Sequence, residues 1–176
     1  MKKINFISRY AAFFLIVTLI TGIVTSCTEK DSDIVKPKTI TDVILQNSEF
    51  STLREIILGL DMADALRTEN LTLFAPNNSA FIASGITSAA INSMNKDSAR
   101  AFVYRHLLGT RYEYASLPLG VNKGLDKRYT ITITKSTTSD STVYLNNDKS
   151  IIIITKNVNA DNGVIQVVSR TLAKIK

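Results

Sequence analysis

The chain has 176 residues, 21 Lys and Arg against 15 Asp and Glu, a formal net charge of +6 and 45% hydrophobic residues. One cysteine excludes an intramolecular disulfide framework, no His/Cys/Asp cluster has zinc-ligand spacing, and no glycine-rich phosphate loop or internal repeat is present.

The amino end reads as an export signal. Lys2, Lys3 and Arg9 make a positive start, Tyr10 to Val24 is apolar apart from Thr18, Thr21 and Gly22, and Val24-Thr25-Ser26-Cys27 follows. This run is shorter than the roughly 20 residues of a spanning helix, and small residues end it in place of a basic stop-transfer cluster. The tetrapeptide ending at Cys27 resembles the lipobox of bacterial lipoproteins, which implies removal of residues 1–26 and acylation of Cys27 with fatty-acyl chains such as palmitate. Residues 27–37 then read as the lipidated cysteine and a polar tether, and 38–176 as one domain. Without Lys2, Lys3 and Arg9 the balance falls to 18 basic against 15 acidic residues, a net of +3 that argues little for nucleic acid.

Along the domain, Thr39 or Thr41 is placed to cap a short helix through Asn47. Leu53, Ile56, Ile57 and Leu60 then fall on one helical face. Asp61 to Leu66 suggests a helical turn, and Leu71 to Ala75 a brief strand stopped by Pro76. Asn77 or Asn78 caps a helix with Ala80, Phe81 and Ile82, and Thr87 caps another through Met94. Asp97 or Ser98 opens a helix whose face carries Ala99, Phe102, Val103, His106 and Leu107, with Gly109 closing it. Beyond Gly109 the period changes to two: Tyr129, Ile131 and Ile133 alternate with threonines, and Val143 to Leu145 is a short strand. Ile151 to Ile154 and Val164 to Val168 read as central strands apolar on both faces, joined by a turn at Asp161-Asn162-Gly163 that calls for positive φ. Helices first and antiparallel strands after describe an α+β domain.

Two segments carry a family resemblance. Thr72-Leu73-Phe74-Ala75-Pro76-Asn77-Asn78-Ser79-Ala80-Phe81 and Asn162-Gly163-Val164-Ile165-Gln166-Val167-Val168 resemble, in order and separation, the two signatures of fasciclin domains. The resemblance spans about Lys38 to Lys176 and implies a fasciclin-like fold, an antiparallel β-sheet wedge or sandwich with several short helices mainly from the N-terminal half. Gln166 stands where the family usually has His and Ser169 where it usually has Asp. The family's Tyr-His motif, linked in some animal members to integrin binding, is Tyr104-Arg105-His106 here, so that recognition is not carried over.

Chemistry has few places to reside. His106, the one imidazole, shares a face with Phe102, Val103 and Leu107 and reads as a core histidine bonded to backbone, not a catalytic base. The stretch Asn157 to Gly163 has alternating oxygens, but its glycine comes one position late and Val168 stands where a calcium loop needs a bidentate Glu. Tyr112 and Tyr114, two apart on an extended segment, are candidates for a sugar-stacking platform; Lys123, Lys127 and Arg128, in an apparent loop beside Gly120 and Gly124, are candidates for contact with anionic polymer or lipid head groups. The expected protein is a membrane-anchored, non-catalytic adhesion or binding module of the bacterial envelope, on the outer membrane and facing outward. It needs no cofactor, metal or nucleic acid, and its partner is an extracellular protein or polysaccharide. The alternative is an accessory glycan-binding lipoprotein of an uptake system.

Overall fold

The computed structural model describes residues 38–137 and 142–175; the export segment, Cys27 and the tether lie outside the described residues. None of the described helices is long and apolar enough to cross a membrane.

Helix α1 (Ile40–Gln46) starts at Thr39, whose hydroxyl accepts from the Asp42 amide while the Asp42 carboxylate accepts from the Thr39 amide, a closed capping box. Helix α2 (Ser51–Gly59) buries the expected Leu53, Ile56 and Ile57, with Leu60 just beyond. The helical turn expected around Asp61 to Leu66 is a 3-10 turn at Ala65–Arg67. Strand β1 (Leu71–Pro76) is buried throughout, and Asn77 caps α3 (Asn78–Ser84) through a 2.9 Å bond from the Ala80 amide. Thr87 caps α4 (Ser88–Asn92), which is two residues shorter than expected.

Helix α5 (Lys96–Tyr104) begins before the expected Asp97 or Ser98, because the Asn95 side chain caps it by accepting from the Ser98 amide at 2.9 Å. It also ends sooner, and Gly109 does not close it. The His106 amide turns back to the Val103 carbonyl, and Leu107–Leu108 leave the helix as β2, paired antiparallel with β1. Burying two leucines in a sheet outweighs one more helical turn, so the apolar period of the helix overruns its true end.

The remaining strands are β3 (Gly120–Lys123), β4 (Thr130–Lys135), β5 (Val143–Leu145), β6 (Asp148–Ala160) and β7 (Gly163–Val168), in a seven-stranded sheet ordered β2-β1-β7-β6-β5-β4-β3. All pairings are antiparallel except β1 with β7, which run parallel from Leu71 opposite Gly163 to Pro76 opposite Val168. That pairing joins the two signature segments and is the feature an antiparallel reading missed. Parallel neighbours need both faces covered. Leu71, Leu73, Ala75, Ile165 and Val167 join the core made with the helices, while Phe74 and Val168 join a second core with Ile131, Ile133, Leu145, Ile151 and Ile153.

The isoleucine run of β6 is covered on one face only: Ile151 and Ile153 are buried, Ile152 is half-buried and Ile154 is 47% exposed. Two one-residue bulges shift the β6–β7 register, one between Ile153 and Thr155 and one between Thr155 and Val158, where Asn157 has φ 54°. They allow one 13-residue strand to serve the second core at its start and the first core, through Val158 and Ala160, at its end.

The β6–β7 turn corrects another expectation. Gly163 does not adopt positive φ; a Cβ there would collide with the Leu71 carbonyl oxygen and sit 2.8 Å from Ile40 Cδ1. Glycine is needed for close approach of β1, α1 and β7, not for turn geometry. Positive φ occurs instead at Asn146 and Asn147, 54° and 58°, which form the tight β5–β6 hairpin turn.

Candidate functional site

His106 lies at the junction of α5 and β2, 2% exposed. Its Nδ1 is 2.8 Å from the Phe102 carbonyl oxygen and its Nε2 accepts from the Leu172 amide at 2.9 Å, so the proton sits on Nδ1 and the ring is neutral. Burial pushes its pKa from 6.5 down to about 4, with the Phe102 carbonyl opposing and the Arg105 charge adding to the depression. With both ring nitrogens held by backbone, this imidazole fixes the C-terminal segment onto the domain and has no nitrogen left to activate a nucleophile.

The departures from the second signature are also accommodated by hydrogen bonds. Buried Gln166 accepts from the Asn157 amide and donates to Asn157 Oδ1 at 2.8 Å and to the Tyr112 carbonyl at 3.2 Å, tying the β6 bulge to the segment after β2. Ser169 donates to the Ser150 carbonyl and accepts from the Ile152 amide. No charge pair is needed at that strand.

The two tyrosines are both half-buried. Tyr112 and Tyr114 both pack partly buried against the second core, and Tyr114 opens a 3-10 turn (Tyr114–Ser116) with its amide on Asn157 Oδ1. Lys156 Nζ lies 3.9 Å from the Tyr114 ring centroid. Tyr114, without Tyr112, lines a cleft of about 290 Å³ with Leu117, Leu119 and Val143.

The basic group is divided in a similar way. Lys123 belongs to edge strand β3 and not to a loop, while Lys127 and Arg128 are exposed in the β3–β4 connection. Arg128 is committed to Asp126, Nη2 to Oδ2 at 2.6 Å and Nε to both oxygens, which holds the Asp126 carboxyl below its ordinary range. Arg105 and Arg128 both lie over the Tyr129 ring, at 4.9 and 5.6 Å from its centroid.

The oxygens of the Asn157 to Gly163 stretch diverge into structural roles. Asn159 accepts from Arg111, while Asn162 Oδ1 accepts from the Ile40 amide and its Nδ2 donates to the Leu66 and Thr68 carbonyls. Arg111 Nη1 also donates to the Ala160 and Gly163 carbonyls, clamping the β6–β7 turn. Among the described residues no group of three or more His, Cys, Asp or Glu is placed to hold a metal ion.

Sequence reasoning missed a cleft of about 330 Å³ where the chain leaves β7. Its walls bring together the end of α3 (Ser84), the start of β6 (Asp148, Ser150, Ile151) and the last segment (Arg170, Lys174). The segment is seated by Arg170 Nη1 on the Ala83 carbonyl, the Thr171 amide on Ser84 Oγ and the Leu172 amide on His106. Nothing local signals this cleft, because its charged residues are brought together only by the return of β7 beside β6.

These features define an α+β domain in which a mixed sheet carries helices from the N-terminal half on β1 and β7. The chain belongs to the Fasciclin domain family, whose profile matches residues 48–174. It is 29% identical over 138 residues to Protein sll1483 of Synechocystis, a match covering 76% of this chain and 72% of that protein. Its fold is similar to that of the FAS1 domain pair from the insect cell adhesion molecule Fasciclin I, with a TM-score of 0.59 at 16% identity over 78% of this chain and 51% of that one. The chain therefore spans about half the length of that solved structure.

Proposed function

We propose that this protein is a non-catalytic adhesion or binding module, displayed on a bacterial membrane through a lipid on Cys27. Residues 1–26 are the export signal, 28–37 the tether, and the domain from residue 38 faces outward from the outer membrane towards an extracellular protein or polysaccharide. The observation that carries the reading is membership of the Fasciclin domain family across residues 48–174. The cell adhesion molecule that supplies the similar fold supports the same class of role. The commitment of both His106 nitrogens to backbone supports a role without catalysis. Acyl chains contribute about 0.8 kcal/mol per buried methylene, and more than one chain is needed for a firm anchor. Metabolic labelling with fatty acid tests the anchor: label enters the wild type and not Cys27→Ser, and equal labelling of the two rejects it. Retention of cells displaying the full chain on extracellular matrix or partner cells, lost in Cys27→Ser, tests the adhesion role.

The charged cleft at the end of β7 favours a second reading, an accessory glycan-binding lipoprotein of an uptake system. Binding of a soluble oligosaccharide that survives Cys27→Ser, with no retention of displaying cells, is the outcome that selects it.

A further inference from the structure

We propose that the cleft between the end of α3, the start of β6 and the C-terminal segment is a binding site for an acidic saccharide, with a uronate carboxylate held by Arg170 and Lys174 and sugar hydroxyls donated to Asp148. The inference rests on the binding-module reading and gives it a ligand class.

Size comes first. A cleft of about 330 Å³ lies at the small end of the roughly 300 to 1,000 Å³ that ligand sites occupy, which suits one or two sugar units more than a large apolar molecule. Its charge selects further. Arg170 spends a nitrogen on the Ala83 carbonyl and keeps other N–H donors, while Lys174 is exposed with no hydrogen bond or ion pair among the described residues. Both cations face the same space as Asp148. Asp148 Oδ1 accepts from the Ser150 amide at 2.9 Å and hydroxyl at 2.6 Å, whereas Oδ2 has no donor among the described residues. The Ser150 bonds, then Lys174 and Arg170, keep that carboxyl ionised below its ordinary range, so it remains an acceptor at neutral pH.

Two cations beside one fixed carboxylate make an anionic ligand favourable but penalise a dense anion, because a phosphate dianion would face Asp148 directly. A single carboxylate bearing neighbouring hydroxyls meets both demands. Among the described residues no aromatic ring lines the cleft, so a neutral sugar lacks a stacking surface there, and the charge must provide the anchor. Ile86, Ile151 and Ile175 are the apolar part of the lining, available to a sugar's C–H face.

The test uses the full chain in mild detergent and isothermal titration with tetramers of galacturonate, glucuronate and mannuronate. The probes for other chemistry are a carboxyl-reduced tetramer, inorganic phosphate and a tetrapeptide with a free C-terminus. At least one uronate tetramer is expected to bind and its reduced form not to. Lys174→Glu and Asp148→Asn should each weaken binding by about tenfold, the scale of one lost charge-assisted contact, while Lys96→Glu on α5 should leave it unchanged. Lys174 makes no hydrogen bond to the described residues, so its loss reports on the ligand and not on folding. The site is rejected if no uronate binds, if the reduced tetramer binds equally, if phosphate or the tetrapeptide displaces the uronate, or if Lys174→Glu binds as wild type. Failure of every uronate while displaying cells are still retained on matrix sinks the site and leaves the binding-module reading standing.

Discussion

Acidification should loosen this domain through one residue. His106 is neutral in the fold, its Nε2 lone pair accepting the Leu172 N–H, and protonation would put a proton where that acceptor is needed. In the unfolded chain the same ring titrates near 6.5, while in the fold burial holds it near 4. Between these values the unfolded state binds more protons than the native one, so stability is full above about pH 6.5 and falls as pH drops towards 4. A depression from 6.5 to about 4 corresponds to about 3 kcal/mol at roughly 1.4 kcal/mol per tenfold change, most of it lost by pH 4. Urea unfolding at pH 7.5, 5.5 and 4.5, followed by far-ultraviolet circular dichroism, measures the loss. His106→Ala supplies the comparison: it is about 1 to 3 kcal/mol less stable at pH 7.5, because the Leu172 amide is left unsatisfied, and its stability changes less over the same window. The carboxylates Asp126 and Asp148, both held below their ordinary range, titrate in both proteins and drop out of the difference. An identical pH dependence in the two proteins, or a His106 ring that titrates near 6.5 by NMR in the folded domain, would refute the reasoning.

Other substitutions test the packing of the signature segments. Gly163→Ala should cost about 2 to 4 kcal/mol, since its Cβ would overlap the Leu71 carbonyl and force β1 and β7 apart; a melting temperature within a degree of wild type would contradict the close approach. Asn162→Ala leaves the Ile40 amide and the Leu66 and Thr68 carbonyls without their shared partner and should cost about 3 kcal/mol in urea unfolding. A loss under about 0.5 kcal/mol, the scale of an ordinary surface change, would show that this buried side chain is dispensable.

Legibility in the sequence followed the range of the interactions. Caps and helical faces are local: Thr87 could be read directly, and Thr39 and Asn77 each as one of two candidates, because each side chain meets an amide three residues on. The end of α5 was misread because Leu107 fits a helical face as well as a strand, and only its pairing with β1 decides between them. Gly163 was recognised as necessary for the wrong cause: a turn and a backbone contact both call for glycine, and the contact partner, Leu71, is 92 positions away. The surroundings of the tyrosine and basic candidates were equally hidden, since Tyr114 meets Lys156 and Asn157 from distant β6, and only the fold puts Arg105 over Tyr129 beside Arg128. The cleft formed by Asp148, Arg170 and Lys174 had no spacing to announce it, because sheet order creates it.

The proposed lipid anchor on Cys27 would make display on a membrane decisive for so small a domain. A modest patch binds weakly, while many copies on one membrane raise avidity by about 10² to 10⁴ without any new contact. Surface plasmon resonance should compare the soluble domain from Lys38 onward with the same domain displayed on liposomes, at matched domain concentration, over extracellular matrix or partner cells. The account predicts weak, rapidly reversible binding of the soluble form and clear retention of the displayed form; equal retention of the two would contradict it.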